Sequence, residues 1–134
     1  MKSIFLISLL LIPLSASASE KYRYLHCSGF VKGEEGYKGK VKPISRPIET
    51  YITLDEENSR MRFGQKTFSS GRWRHAVFNS SIIFQKDTNE FGKYSCEIDR
   101  NTGEYIYLSN KQYSWGFMRS TGKGICKKQT PRKF

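Results

Sequence analysis

Long hydrophobic runs are nearly absent from this chain of 134 residues. Its one sustained apolar run, residues 4–14, is too short to cross a bilayer, which takes about 20 residues. The run follows Lys2 and precedes Ala16-Ser17-Ala18, which is the order of charged, apolar and cleavage regions in a secretory signal peptide. We therefore predict a cleaved signal over residues 1–18 and no integral membrane span. Residues 19–134 are expected to form a single β domain, periplasmic or secreted, with a frayed basic C-terminal tail.

Acidic residues are also scarce, with 12 Asp and Glu against 23 Lys and Arg. Loss of Lys2 with the signal leaves 22 cations against 12 acids, a net charge of +10. Such a charge attracts anionic partners, among them anionic polymers, lipopolysaccharide and other envelope components, although it also keeps a small protein soluble. The charge favours a non-enzymatic binding module for an anionic envelope or extracellular partner. It does not indicate the oligomeric state.

Histidine occurs only twice, as His26 and His75. The chain has no His-x-His, Cys-x-x-Cys or His-Glu-x-x-His spacing, so no metal site and no cofactor is expected. Gly-x-Ser-x-Gly, a common serine-hydrolase signature, is missing as well. We predict no catalytic residues. The alternative hypothesis is a small secreted hydrolase or nuclease that uses His26 or His75 with a nearby lysine or acid.

Cysteine is limited to Cys27, Cys96 and Cys126. An oxidising compartment favours one disulfide and leaves one thiol. We predict the pair Cys27–Cys126, which ties the first strand to the last, and the pair Cys96–Cys126 is the open alternative. With the first pairing, Cys96 becomes a small buried hydrophobe.

Helical periodicity is missing after the predicted signal, and short runs of aromatic and β-branched residues alternate with turn residues instead. These runs predict an all-β fold, an antiparallel barrel or sandwich of about eight short strands. Residues 32–43 contain several glycines and a proline, and we expect a mobile loop there. The predicted strands are residues 22–31, 48–55, 60–64, 72–78, 81–86, 94–98, 104–108, 112–118 and 124–128.

Arginines alternate with large apolar side chains in two of these strands, "RMRF" and "RWRH". Neighbours on a strand point to opposite faces of the sheet. We therefore expect the apolar members to enter the core and the arginines to form a basic outer face that binds an anionic partner. The expected inward residues are Met61, Phe63, Trp73 and Val77, and the expected binding residues are Arg60, Arg62, Arg72 and Arg74.

The stretch "CEIDRNTGEY" at residues 96–105 concentrates charged side chains, but its order is that of a hairpin turn. Asp99 is predicted to accept backbone N–H groups of Asn101 or Thr102, as in an Asx-turn. Gly103 is predicted to take the left-handed conformation that closes the turn. Ile98 and Ile106 are then expected to face the core from paired strands. Both Asp99 and Gly103 are therefore assigned structural roles.

Two resemblances add expectations. Cys27-Ser28-Gly29, "IDRNTGEY" and Gly124-x-Cys126 together resemble small exported proteins of unknown function from Gram-negative bacteria. That resemblance implies an all-β fold with linked ends and carries no activity. Ser70-Gly71 resembles part of the Ser-Gly-x-x-Tyr loop of periplasmic lysozyme inhibitors, but Arg74 occupies the tyrosine position. The resemblance implies a further alternative, a lysozyme-inhibitor-like protein.

Overall fold

The computed structural model describes residues 21–64 and 71–130, and every regular element in this range is a β-strand. The predicted signal over residues 1–18, together with Ser70 and the chain from residue 131, lies outside the described residues. The strands are β1 Arg23–Tyr37, β2 Lys40–Asp55, β3 Arg60–Gly64, β4 Arg74–His75, β5 Val77–Phe78, β6 Ile82–Asn89, β7 Gly92–Asp99, β8 Glu104–Tyr113 and β9 Gly116–Lys128.

The nine strands form one antiparallel sheet in the order β4-β3-β2-β1-β9-β8-β7-β6-β5. The sheet curls until β4 contacts β6, which gives a nearly closed barrel. The predicted all-β antiparallel fold is confirmed, and of the two expected architectures the sheet adopts the barrel. Curling hides one face along most of the sheet, so the apolar residues of alternate positions meet inside, whereas residues 40–43 at the start of β2 are all exposed.

The loop expected at residues 32–43 is in fact strand, and so are residues 119–123, which fall between two of the predicted strands. Residues 32–43 continue β1 and β2, which meet at a two-residue turn made by Lys38 and Gly39 with φ of 49° and 76°. Residues 119–123 lie inside β9, which pairs with β8 from Gly116 to Ile125. The glycines that suggested a loop are needed for another reason. A Cβ added at Gly33 would overlap the backbone carbonyl of Arg119, because β1 and β9 approach closely there.

The barrel interior contains the disulfide and the free thiol. Cys27 and Cys126 are opposite each other in the pairing of β1 with β9 and form the predicted bond. Cys96 is free and 1% exposed, among buried residues such as Ile52 and Met61. The disulfide therefore joins the first strand to the last, as expected from the sequence.

The turns fall into two groups because successive strands run in opposite directions. One end of the barrel carries turns 38–39, 90–91 and 114–115, and the other carries turns 56–59, 79–81 and 100–103. At the second end the Arg100 guanidinium donates to Glu56 Oε1 and to the Asn79 carbonyl, both at 2.8 Å. These bonds tie three turns together and stiffen that end.

Candidate functional site

A cleft of about 920 Å³ opens into the barrel between β2, β3, β7, β8 and β9, and we call it the barrel cleft. On β8 and β9 its lining alternates along the strand, because only every second side chain faces inward. On β8, for example, Tyr105, Tyr107, Ser109 and Lys111 line the cleft, whereas Leu108 is 52% exposed on the outside.

One wall of the barrel cleft is a chain of aromatic rings. Phe63 meets Tyr94 edge to face with centroids 5.8 Å apart, and Tyr94 stacks on Tyr107 at the same distance. Tyr107 in turn contacts Tyr105 at 5.9 Å. These centroid distances are in the range where aromatic pairs attract each other. The wall therefore offers a ligand apolar ring surface together with phenol hydroxyl groups.

The backbone beneath this wall explains the position of Tyr107. Gly122 lies opposite Tyr107 in the pairing of β8 with β9, and a Cβ added there would overlap the tyrosine ring. The ring thus lies flat over the glycine, an arrangement that any larger residue at position 122 would prevent. A glycine that the sequence shows only as a loop signal is in this way part of the site.

Two cations stand at the mouth of the cleft. Arg46 on β2 and Lys111 on β8 both line it and are both exposed. Neither forms an ion pair with another described residue. Glu49, the acid in the lining, accepts from His26 Nε2 at 2.6 Å and from the Tyr51 hydroxyl at 3.2 Å. A hydrogen-bonded carboxylate keeps its charge, so the mouth has two cations against one acid and presents net positive charge to a ligand.

The deep part of the wall is neutral at physiological pH. Burial raises the pKa of Tyr94 and of Tyr105 well above that of a free phenol, and their side chains are hydrogen-bonded to each other. Burial also raises the pKa of the Cys96 thiol to about 12. Such groups neither donate protons readily nor act as nucleophiles near neutral pH, because their charged forms are disfavoured.

The arginines expected to form one basic face are divided between two faces. Arg60 and Arg62 point outward and cover the Trp73 ring at 4.2 and 4.6 Å from its centroid. Arg72 is exposed, but Arg74 lies opposite Met61 on the inner face and pairs with Asp87. Arg60 also forms an ion pair, in which its Nε lies 2.7 Å from Asp55 Oδ2.

The expected orientation of residues 72–78 is therefore wrong by one position. Met61 is buried and Phe63 half-buried as expected, but Trp73 lies outside under arginines and Val77 is 51% exposed. Alternation shows that neighbouring residues face opposite sides of the sheet, but it does not show which of the two sets faces inward. A tryptophan on the outer face is stable when cations cover its ring. The role of these arginines in binding an anionic partner stays a prediction.

Neither histidine lines the barrel cleft, although His26 is hydrogen-bonded to Glu49 at its edge. His26 stacks on Tyr51 with centroids 4.7 Å apart, on the outer face of β1 and β2. His75 is exposed and lies opposite Arg60 in the pairing of β3 with β4. Ser120 lines the cleft, but Lys123, which follows it at Ser-x-x-Lys spacing, faces outward and cannot assist it.

The turn predicted at residues 99–103 has the expected hydrogen bonds. Asp99 Oδ1 accepts from the N–H groups of Asn101 and Thr102 at 2.8 and 3.1 Å, and these bonds hold the pKa of Asp99 below its usual value. Gly103 has φ of 78°. Ile98 is buried but Ile106 is 39% exposed, because the turn places Tyr105 opposite Ile98. Residues 99–103 also border a cavity of about 330 Å³, in which Asp99 is half-buried.

The chain matches no known protein, and the described residues contain no metal-ligand cluster. Within residues 21–64 and 71–130 no three His, Cys, Asp or Glu side chains are grouped as metal ligands. No helix in that part of the chain is long and apolar enough to span a membrane. The resemblances to exported proteins and to lysozyme inhibitors stay predictions. No family model, no curated protein and no solved structure matches this chain.

Proposed function

We propose that the protein is a non-enzymatic binding module, exported to the periplasm or beyond the cell, that holds an anionic ligand in the barrel cleft. One observation carries the proposal. An aromatic wall built from Phe63, Tyr94 and Tyr107 ends at a mouth where Arg46 and Lys111 have no acidic partner among the described residues.

The size and chemistry of the cleft favour a ligand with an apolar or aromatic body and one acidic group. A volume of about 920 Å³ lies within the range of small-molecule pockets. The rings contact the body and bury its apolar surface, while the tyrosine hydroxyls bind polar substituents. The two cations at the mouth then bind the acidic group, which remains near water. An acidic amphiphile of the cell envelope has this chemistry.

The proposed compartment is supported by two features of different kinds. The Cys27–Cys126 disulfide is a bond that persists in oxidising environments. The sequence pattern of residues 1–18 is that of a secretory signal.

Anilinonaphthalene sulfonate, an aromatic body with one acidic group, is a direct probe of the cleft. We expect saturable binding by fluorescence titration of the full chain. The double variant Arg46→Gln/Lys111→Gln should weaken binding at least about tenfold, because the sulfonate loses both cations. Lys123→Gln/Lys127→Gln, which removes two cations from the outer face of β9, is the matched control and should bind as the parent does.

Two results would contradict the proposal. One is the absence of saturable probe binding to the folded parent protein. The other is equal weakening by Arg46→Gln/Lys111→Gln and Lys123→Gln/Lys127→Gln, which have the same net charge, since only general attraction between net charges would then be at work. Circular dichroism of each variant checks that it retains the strand content of the parent.

A further inference from the structure

The end of the barrel that carries turns 38–39, 90–91 and 114–115 brings four aromatic residues together. Tyr37 meets the Trp115 ring edge to face at 5.9 Å, and Trp115 stacks on Tyr113 at 4.8 Å with planes 5° apart. Tyr113 contacts Phe91 at 5.6 Å. We call these four residues the aromatic end. They form one continuous row across three turns that are far apart in the sequence.

The aromatic end is open to solvent. Tyr37, Phe91 and Trp115 are each about half exposed, at 53%, 48% and 49%. Small proteins rarely leave large side chains exposed in a contiguous group unless a partner covers them. Fold stability does not explain the group, because the buried core lies elsewhere in the barrel.

Lysines surround these rings. Lys38 Nζ lies 5.3 Å from the Tyr37 ring centroid, and Lys40 and Lys42 share a cavity of about 420 Å³ with Tyr37 and Trp115. The ion pairs recorded among the described residues use arginine or histidine and never lysine. Glu35 and Glu90 are the nearby acids, so positive charge predominates around the row of rings.

The opposite end has a different character. Asp55 there pairs with Arg60, and Glu56 pairs with both Arg23 and Arg100. Its charges therefore compensate one another. The contrast gives the barrel one neutralised end and one end with exposed rings and unpaired cations.

We propose that the aromatic end docks on the surface of an anionic lipid bilayer. Tryptophan and tyrosine favour the boundary between headgroups and acyl chains, where an apolar ring and a polar edge are both accommodated. Lysines around the rings are attracted to anionic headgroups. Turn tips enter the boundary without exposing a whole strand to lipid. The inference goes beyond the ligand proposed for the barrel cleft and does not depend on it.

A lipid surface fits these rings better than a polysaccharide does. Sugars bind by stacking on an exposed ring face, but Tyr113 and Trp115 each use one face on the other, and the Tyr37 ring also contacts Trp115. Headgroups and upper acyl chains can contact the ring edges, which a sugar chain does not stack on.

The cleft and the aromatic end are adjacent. Lys111 lines the barrel cleft and also a cavity of about 380 Å³ that Phe91 and Tyr113 border. A protein docked through its aromatic end would therefore hold the mouth of the cleft close to the headgroups.

Co-sedimentation with vesicles tests the docking. The full chain should bind vesicles of equal parts phosphatidylglycerol and phosphatidylcholine and bind pure phosphatidylcholine far more weakly. Tyr37→Ser/Trp115→Ser should reduce binding to the anionic vesicles at least about tenfold, because the interfacial rings are lost. Phe84→Ser/Leu108→Ser removes two exposed apolar side chains from the outer wall and should bind within about twofold of the parent.

A second pair of variants separates local charge from net charge. Lys40→Gln/Lys42→Gln should lower binding to anionic vesicles several-fold, whereas Lys127→Gln/Lys128→Gln, with the same net charge, should not. Equal effects of the two double variants would overturn a defined docking surface. Full binding of Tyr37→Ser/Trp115→Ser to anionic vesicles would also overturn the proposal. So would a parent protein that binds heparin but not vesicles, if Tyr37→Ser/Trp115→Ser loses the heparin binding.

Tryptophan fluorescence gives a readout that folding defects do not mimic. The chain has two tryptophans, so Trp73→Phe leaves Trp115 as the reporter. Its emission should shift to shorter wavelength with anionic vesicles and remain unshifted with phosphatidylcholine. Arg46→Gln removes a cation that lines the cleft but neither of the cavities that contain the four rings. If this variant binds the sulfonate probe more weakly and binds vesicles as the parent does, the two binding sites are separate.

Discussion

Asp55 and Gln85 are both buried polar side chains, at 0% and 1% exposure, with opposite surroundings. Burial alone would raise the pKa of Asp55. Hydrogen bonds from Asn58 Nδ2 at 2.9 Å and Arg60 Nε at 2.7 Å outweigh that effect and hold the pKa of Asp55 below its usual value. Neither Nε2 nor Oε1 of Gln85 has a hydrogen-bond partner among the described residues. One group is therefore satisfied and the other is a cost to stability.

Replacing Gln85 by methionine should stabilise the protein. The two side chains have similar size and shape, and the substitution removes a buried amide whose desolvation is not offset by hydrogen bonds. We expect an increase of about 1 kcal/mol in the free energy of unfolding, measured by urea denaturation. Gln85→Ala is the control and should destabilise, because it leaves a cavity. Destabilisation by Gln85→Met would show that the amide has a partner in solution.

At the scale of strands, β8 and β9 depend on glycine for their side-chain packing. Gly122 lies beneath the Tyr107 ring on the inner face, and Gly36 of β1 lies beneath Phe117 on β9. In each pair the glycine provides the space that a flat ring occupies. The cleft wall and the strand pairing are therefore coupled through single positions.

Gly122→Ala should destabilise the protein by about 2 kcal/mol, because its methyl group overlaps the Tyr107 ring. The displaced ring should also weaken binding of the sulfonate probe. Urea denaturation measures the first effect and the fluorescence titration the second. Lys123→Ala, an exposed neighbour on the same strand, should change stability by less than about 0.5 kcal/mol.

A double variant checks the cause of that destabilisation. If the ring is the obstacle, Gly122→Ala/Tyr107→Val should cost less than the sum of the two single variants. Strict additivity would mean that the alanine acts on the backbone alone.

The strands also show what the sequence could predict. Period-two alternation was sufficient for the antiparallel fold, and the positions of Cys27 and Cys126 for the disulfide. Alternation was not sufficient to predict which residues of 72–78 face inward, because large side chains occur on both faces there. Gly33 was interpreted as a loop residue because the group that requires a glycine there, the Arg119 carbonyl, is distant in sequence.

The barrel cleft could not be predicted in the same way. Its lining comes from five strands, and it exists only once the sheet curls and brings β3 near β7. No local signal distinguishes an inward tyrosine that lines a cleft from one that fills a core. The row formed by Tyr37, Phe91, Tyr113 and Trp115 is equally non-local, since it depends on three turns meeting at one end.

For the whole molecule, stability at high pH is limited by three buried side chains that can lose a proton, the Cys96 thiol and the phenols of Tyr94 and Tyr105. Burial raises the pKa of each in the folded protein. An unfolded chain loses these protons at lower pH than the folded one, so the folded protein holds more protons over that interval. The associated stability is fully present below the unfolded pKa and is lost as pH rises toward the folded value.

We expect the free energy of unfolding to fall by roughly 2 kcal/mol or more between pH of about 8 and about 10.5. The fall should begin near pH 9, the ordinary value for a cysteine thiol, because the pKa of Cys96 is raised to about 12. Urea midpoints across this range measure it. Cys96→Ala should flatten the first part of the fall and leave the later, tyrosine-dependent part. Unchanged pH dependence in that variant would contradict the assignment to the thiol.

The disulfide has a mechanical consequence. Cys27 and Cys126 are 99 positions apart in the chain and directly opposite each other on adjacent strands. Tension applied to the segments outside the two cysteines passes through the sulfur atoms and bypasses the nine-stranded sheet, except for the outermost pairs of β1 and β9. Stretched in this way, the oxidised protein behaves as a short rigid link. Reduction turns the same chain into a long extensible one.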